Sequence, residues 1–250
     1  MPFTWSKQTD AAPWSRRDSM AAVAYDGRMW LLGGFTPARL NEVWCSRDGA
    51  TWTLVTGAAP WAKRNLLCAV AYDGAMWLFA GGDRPLSYND VWSSTDGARW
   101  TRATDGAPWS ARSMHSAAVF DGKMWLMGGG VYDTNFPQNT VVDHHDVWCS
   151  SDGERWRQVT AAAPWAPRRF HSSAVFDDKL WVVAGYHQGN RNDVWFSSDG
   201  RDWHEARSAT PWAVRHAPAC LAFGGRLWLM GGYGDTLYND IWTYGESGSD

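Results

Sequence analysis

The fold is legible in one stretch: Pro164-Trp165-Ala166-Pro167-Arg168-Arg169-Phe170-His171-Ser172-Ser173-Ala174-Val175-Phe176-Asp177-Asp178-Lys179-Leu180-Trp181-Val182-Val183-Ala184-Gly185, then a polar loop, Asp193-Val194-Trp195, Ser197-Ser198-Asp199-Gly200 and Trp203. The rest of the 250 residues repeats it. A Pro-Trp pair recurs at Pro13, Pro60, Pro108, Pro164 and Pro211, at spacings of 47, 48, 56 and 47 residues. A period of this size, built of several short apolar runs, marks the blade of a propeller.

The 20 tryptophans give the blade count. Trp14, Trp61, Trp109, Trp165 and Trp212 follow the loop proline, and Trp30, Trp77, Trp125, Trp181 and Trp228 lie 16 residues further on. Trp44, Trp92, Trp148, Trp195 and Trp242 sit in Val-Trp or Ile-Trp pairs. Trp52, Trp100, Trp156 and Trp203 come 8 residues after those. The fifth member of this last class is Trp5, which precedes Trp14 by the same 9 residues that separate Trp52 from Trp61. The spacing predicts five four-stranded antiparallel blades in one all-β domain over residues 1–250. The N-terminal strand, about residues 3–9, is expected to complete the last blade. Closure of that kind removes the sheet edges that invite aggregation.

Within each repeat the first strand is small and apolar, as in Ser116-Ala117-Ala118-Val119-Phe120. It turns through Asp-Gly, Asp-Asp or Gly-Gly, dipeptides suited to a tight hairpin. The second strand ends in paired small residues such as Gly128-Gly129, the third holds Val-Trp, and a second Asp-Gly turn leads to the fourth. Paired small residues after an apolar strand, followed by Asn-Asp-Val-Trp, resemble the kelch repeat, here in five copies. The Ser-x-Asp-Gly-x-x-Trp turn resembles a shortened Asp-box. Both resemblances imply a propeller and leave function open. Some kelch-like proteins, the plant specifiers, hold iron in a Glu/Asp/His loop; that loop's spacing is not present here. The tyrosine–cysteine arrangement of galactose oxidase is not found either.

Composition narrows the function classes. The net charge of −3 and pI near 6.1 argue against a nucleic-acid surface, which needs a basic face. No apolar run is long enough to span a membrane, and the first residues do not read as a secretory leader. Cys45, Cys68, Cys149 and Cys220 read as reduced core thiols. The expectation is a cytoplasmic monomer whose partner is a small molecule or peptide.

Strand order predicts that the second-to-third (b–c) loops and the interblade (d–a) loops share one end of the propeller. All length variation falls in the b–c loops: the gaps between second- and third-strand tryptophans are 14, 15, 23, 14 and 14 residues. Variable loops on a rigid scaffold are where binding residues sit. The longest runs from Val131 to His145 and reads either as a surface loop or as a flap over the channel mouth.

Four residues after each loop proline stands an arginine: Arg17, Arg64, Arg112, Arg168 and Arg215. Five guanidinium groups in a ring would suit a carboxylate, sulfate or phosphate. Each repeat also carries one acid before its Val-Trp (Glu42, Asp90, Asp146, Asp193, Asp240), so the alternative is a repeated structural ion pair. The leading reading is a binding module that takes a small anionic or peptide ligand at the channel mouth. Its residues would be the Arg ring with Tyr88, Tyr132, Phe136, Tyr186 and Tyr233. The second reading is a metal-dependent enzyme. His115, His171 and His216 fall near the inner ends of three consecutive blades and could hold one transition metal ion, iron, copper or zinc. His144, His145 and His187 are further potential ligands, and catalytic residues are not assigned. The third reading is a multivalent lectin that stacks sugars on the loop tryptophans.

Overall fold

A computed structural model of the chain describes residues 7–9, 11–83, 86–133, 140–206 and 210–245. All regular structure among them is β. Blade one is β1 (Ala21–Tyr25), β2 (Arg28–Leu32), β3 (Val43–Ser46) and β4 (Thr53–Thr56). Blade two is β5 (Cys68–Tyr72), β6 (Ala75–Phe79), β9 (Val91–Ser94) and β10 (Thr101–Thr104), with β7 (Gly82–Asp83) and β8 (Leu86–Ser87) pairing within its b–c loop. Blade three is β11 (Ser116–Phe120), β12 (Lys123–Asp133), β13 (Thr140–Ser150) and β14 (Arg157–Thr160). Blade four is β15 (Ser172–Phe176), β16 (Lys179–Val183), β17 (Val194–Ser197) and β18 (His204–Glu205). Blade five contributes β19 (Ala219–Phe223), β20 (Arg226–Tyr233) and β21 (Leu237–Tyr244). The five-bladed all-β propeller expected from the tryptophans is the fold observed.

The blades are joined at three levels. At the inner ring, Ser19, Leu66, Met114, Phe170 and Ala217 all take left-handed backbone angles, with φ between 52° and 60°. Such angles cost a non-glycine residue roughly 1–3 kcal/mol. In blades two to five they turn the N–H onto the equivalent carbonyl of the preceding blade. Leu66 donates to Ser19, Met114 to Leu66, Phe170 to Met114 and Ala217 to Phe170, at 2.7–3.3 Å. At the base of the b–c loops, the amides of Gly34, Gly81, Gly129 and Gly185 donate to the carbonyls of Arg64, Arg112, Arg168 and Arg215 in the next blade. At the far end, the c–d turn of one blade rests on the second-strand tryptophan of the blade before. A Cβ on Gly97, Gly153 or Gly200 would stand 2.2, 2.0 or 2.0 Å from a ring atom of Trp30, Trp77 or Trp125. That close approach, together with φ of 72–74°, is why the turn is Asp-Gly.

All three kinds of contact occur at the successive junctions from blade one to blade four, and the first two also join blades four and five. Among the described residues none of them links blade five back to blade one. β21 has no partner on its outer edge, and residues 7–9 are exposed and outside any strand. The rest of the expected closing strand, residues 3–6, lies outside the described residues.

The long blade-three segment is regular rather than an irregular flap. Gly129 pairs with His144, Gly130 with Asp143, Val131 with Val142, Tyr132 with Val141 and Asp133 with Thr140, so most of the extra length extends one hairpin. Backbone hydrogen bonds satisfied across a two-residue period cost less than a loop whose polar groups must all find water. Its tip, with Phe136, lies outside the described residues. Among the described residues no helix is long and apolar enough to cross a membrane.

Candidate functional site

The b–c and d–a loops do share one end, and the arginines stand beneath it. Leu40 bridges Arg64, Tyr88 bridges Arg112, and Arg191 bridges Arg215. Each arginine is held in the same way. In blade three the Arg112 Nη1 and Nη2 donate to the two carboxylate oxygens of Asp146, at 2.5 and 2.9 Å. Nη1 also donates to the Gly128 carbonyl at 2.9 Å, and Nε to the Ser110 carbonyl at 3.1 Å. The pattern recurs as Arg64–Asp90, Arg168–Asp193 and Arg215–Asp240, and with one carboxylate oxygen as Arg17–Glu42. The acid then accepts the indole N–H of the Trp two residues on, as from Trp148 to Asp146 at 2.8 Å. The arginine side chains are 0–1% exposed. These guanidinium groups are therefore occupied by the fold. What the sequence offered as an open anion ring is a set of five Arg–acid–Trp clamps tying the first strand of each blade to its third. The arginine and indole donors hold Asp90, Asp146 and Asp193 below the usual carboxylate range even though burial opposes ionisation.

The loop tryptophans are equally engaged. Trp61, Trp109 and Trp165 are 1% exposed and Trp212 is 7% exposed. Trp14, Trp61, Trp109 and Trp165 each meet the fourth-strand indole of their own repeat edge-on, with centroids 5.8–6.1 Å apart. Buried rings of this kind are not platforms for a sugar.

The three channel histidines do not converge. His115 is buried against Phe79, and His171 is buried with Nε2 2.8 Å from Ser116 Oγ. Burial, then the charge of Arg112 or Arg168, pushes both imidazoles down to about 3, so they are neutral near pH 7. His216 stands higher, with Nδ1 2.7 Å from Asn190 Oδ1. His144 faces Ser110 Oγ at 3.2 Å and is pushed down to about 4 by burial and Arg112. His145 fills the position of Asn41 and Asn89, holding the d–a loop through the Trp165 carbonyl. Among the described residues no three His, Cys, Asp or Glu side chains come together as a metal site. The four cysteines are thiols, and burial pushes Cys68 and Cys220 up to about 12.

What remains after the five-fold pattern is subtracted lies on one side of the mouth. The residue after each ring arginine is Asp18, Asn65, Ser113, Arg169 and His216, and each bridges the b–c loop of its own blade. Arg169 reaches across to blade three, where its Nη1 donates to Asp143 Oδ1 at 2.6 Å. The Asp143 side chain is 4% exposed and also meets His187 Nδ1 at 2.9 Å. Asp143 is in place because the extended β12–β13 hairpin carries it there. Tyr186 lies against the Arg169 guanidinium at 4.7 Å and edge-on to His216 at 5.7 Å. Tyr233, 46% exposed, meets the other side of His216 at 5.4 Å. Burial and the nearby Arg169 charge lower the His216 pKa.

Of the tyrosines expected around the mouth, Tyr186 and Tyr233 join this cluster. Tyr88 lies instead over the Arg64 clamp at 4.1 Å. The sequence reading missed Arg169, Asp143 and Asn190. The available signal was the break in symmetry: only one repeat has Arg-Arg where the others have Arg followed by Asp, Asn, Ser or His.

A family model described as the KLHDC2/KLHL20/DRC7 Kelch-repeats domain matches residues 3–161, which span the first three blades. Comparison with curated proteins gave no match.

Proposed function

This chain belongs to the kelch-repeat family, and on that footing we propose that its partner is a peptide segment of another protein, bound on the b–c face between blades three and five. Kelch propellers are generally protein-interaction modules. The observation that carries the location is the Arg169–Asp143 pair, which departs from the five-fold pattern and leaves the guanidinium with a single hydrogen bond among the described residues. Its other donors suit a carboxylate or a peptide carbonyl. Tyr186 and Tyr233 supply rigid aromatic surface, the side-chain class that dominates interface energetics. Asp143 and Asn190 hold Arg169 and His216 in place, so little side-chain entropy is lost on binding.

The reading is tested by selecting peptides from a displayed random library on the wild-type chain and counter-selecting on Arg169→Glu. Acidic or carboxylate-bearing peptides should be recovered. Arg169→Ala and Tyr186→Ala should each weaken the recovered peptide at least tenfold, as measured by fluorescence anisotropy. Arg102→Ala, on the outer strand of blade two, should change nothing. Recovered peptides that bind Arg169→Ala as tightly as wild type would move the site elsewhere.

A further inference from the structure

The β12–β13 hairpin of blade three runs past the body of the blade as a two-stranded ribbon, residues 130–133 against 140–143. A strand residue points its N–H and C=O toward the same edge, and neighbouring residues alternate. Gly130 engages both groups with Ser113 of its own blade, at 2.9 Å each way. Its pair with Asp143 is therefore of the kind that exchanges no hydrogen bonds. By alternation Val131 and Val142 bond to each other, while Val141 and Asp143 turn their N–H and C=O away from β12. Among the described residues none of these outward groups meets a hydrogen-bond partner. The next residue along, His144, gives its carbonyl to the Arg168 amide at 2.9 Å, so this edge leaves the blade beside Arg168 and Arg169. The ribbon's opposite edge, on β12, lies against β8. Open edges are ordinarily blunted by charge, proline or a bulge. Here Val141 and Val142 are β-branched and uncharged, Val142 is 41% exposed, and the charge of Asp143 is taken up by Arg169 and His187.

We infer that the partner peptide binds as an added strand on the outer edge of β13, its main chain bonded to Val141 and Asp143 and an acidic side chain of it meeting Arg169. This rests on the peptide site proposed above and supplies its mode of capture. Strand addition draws affinity from main-chain bonds and specificity from side chains at alternate positions. Val141 and Asp143 are two residues apart, the interval at which an extended peptide repeats its own outward groups. Arg169 is fixed to Asp143 by a single hydrogen bond among the described residues, so its remaining donors lie beside the added strand and suit a carboxylate. A peptide fits this edge better than a second copy of the chain. Two β13 edges paired about a two-fold axis would offer each Arg169 only Val141, Val142 and an Asp143 already paired. The inference also accounts for the long interval in blade three, 23 residues between tryptophans where the other blades have 14 or 15. The added length carries the ribbon beyond the blade and leaves its edge open.

The test selects a displayed random peptide library on the full wild-type chain, with counter-selection on Val141→Pro in one arm and on Arg169→Glu in the other. Val141→Pro removes an outward N–H and leaves the bonds between Val131 and Val142 in place, the position in which an edge strand tolerates proline. Recovered peptides should bind Val141→Pro at least tenfold more weakly than wild type by fluorescence anisotropy. An N-methyl scan of the recovered peptide against the wild-type chain gives a second readout that does not depend on how a variant folds. N-methylation should weaken binding at least tenfold at two peptide positions two residues apart and leave it unchanged at the residue between them. Peptides that lose affinity for Arg169→Glu but not for Val141→Pro, with a scan that lacks this alternation, would overturn strand addition and leave the peptide site standing. A library that yields no peptide distinguishing wild type from either variant would overturn both. Self-association of the wild-type chain in sedimentation, abolished by Val141→Pro, would overturn the inference in favour of a second copy.

Discussion

Removal of Asp146 tests whether the arginine clamps hold the propeller. In Asp146→Ala the Arg112 side chain, 1% exposed, keeps its bonds to Gly128 and Ser110 but loses its countercharge. The Trp148 indole loses its acceptor as well. Leaving one partner of a buried pair unpaired costs about 3–5 kcal/mol, against a domain stability of roughly 5–15 kcal/mol. At about 2–4 °C per kcal/mol for a chain of this size, the melting temperature should fall by roughly 6–20 °C. The same cut in blade five should cost less, about 1–2 kcal/mol, because Asp240 is 35% exposed and water can reach the orphaned guanidinium. Replacing both partners, as Arg112→Met with Asp146→Leu, should recover most of the loss, since an apolar pair leaves no buried charge. The assay is urea unfolding followed by tryptophan fluorescence, with thermal melts alongside. A cost below about 1 kcal/mol for Asp146→Ala would refute the reasoning, as would equal costs in blades three and five.

The buried histidines set the acid limb of stability. His115 and His171 have folded pKa values lowered to about 3 from 6.5, so the unfolded chain binds more protons as pH falls below 6.5. Each therefore removes stability progressively down to about pH 3, by roughly 2 kcal/mol at pH 5. The clamp carboxylates keep their full contribution above about pH 5 and lose it as pH falls from the ordinary carboxylate range toward their lowered values, so the slope between pH 6.5 and 5 belongs to the histidines. His115→Leu should flatten the decline between pH 6.5 and 5, and an unchanged slope would show that His115 is not buried as a neutral ring. Gly153→Ala should cost roughly 2–4 kcal/mol, from a Cβ driven into Trp77 at φ +74°. Gly122→Ala, at φ +60° with open space around it, should cost about 1 kcal/mol, and equal costs in urea unfolding would remove the interblade wedge from the account.

The tryptophan and glycine spacing determined the repeat, the blade count and which end of the blades carries the variable loops. These features are periodic along the chain, and local strand and turn preferences enforce them one repeat at a time. The sequence also placed one arginine and one acid in every blade, but could not tell an open receptor ring from a set of closed clamps. That distinction depends on where the two side chains meet in space. Only the tertiary structure supplied the 2.5–2.9 Å pairing that uses up the guanidinium of Arg112. It likewise separated His115, His171 and His216, which the sequence grouped only as lying near the inner ends of three consecutive blades: the first two are buried in the blade core and the third stands among Asn190, Tyr186 and Tyr233. The left-handed inner ring left no mark in composition, because Ser19, Leu66, Met114, Phe170 and Ala217 share a backbone angle and no chemistry. The Arg169–Asp143 contact joins residues from two blades that are 26 positions apart. Contacts of that kind break the repeat and are decided by how neighbouring blades pack.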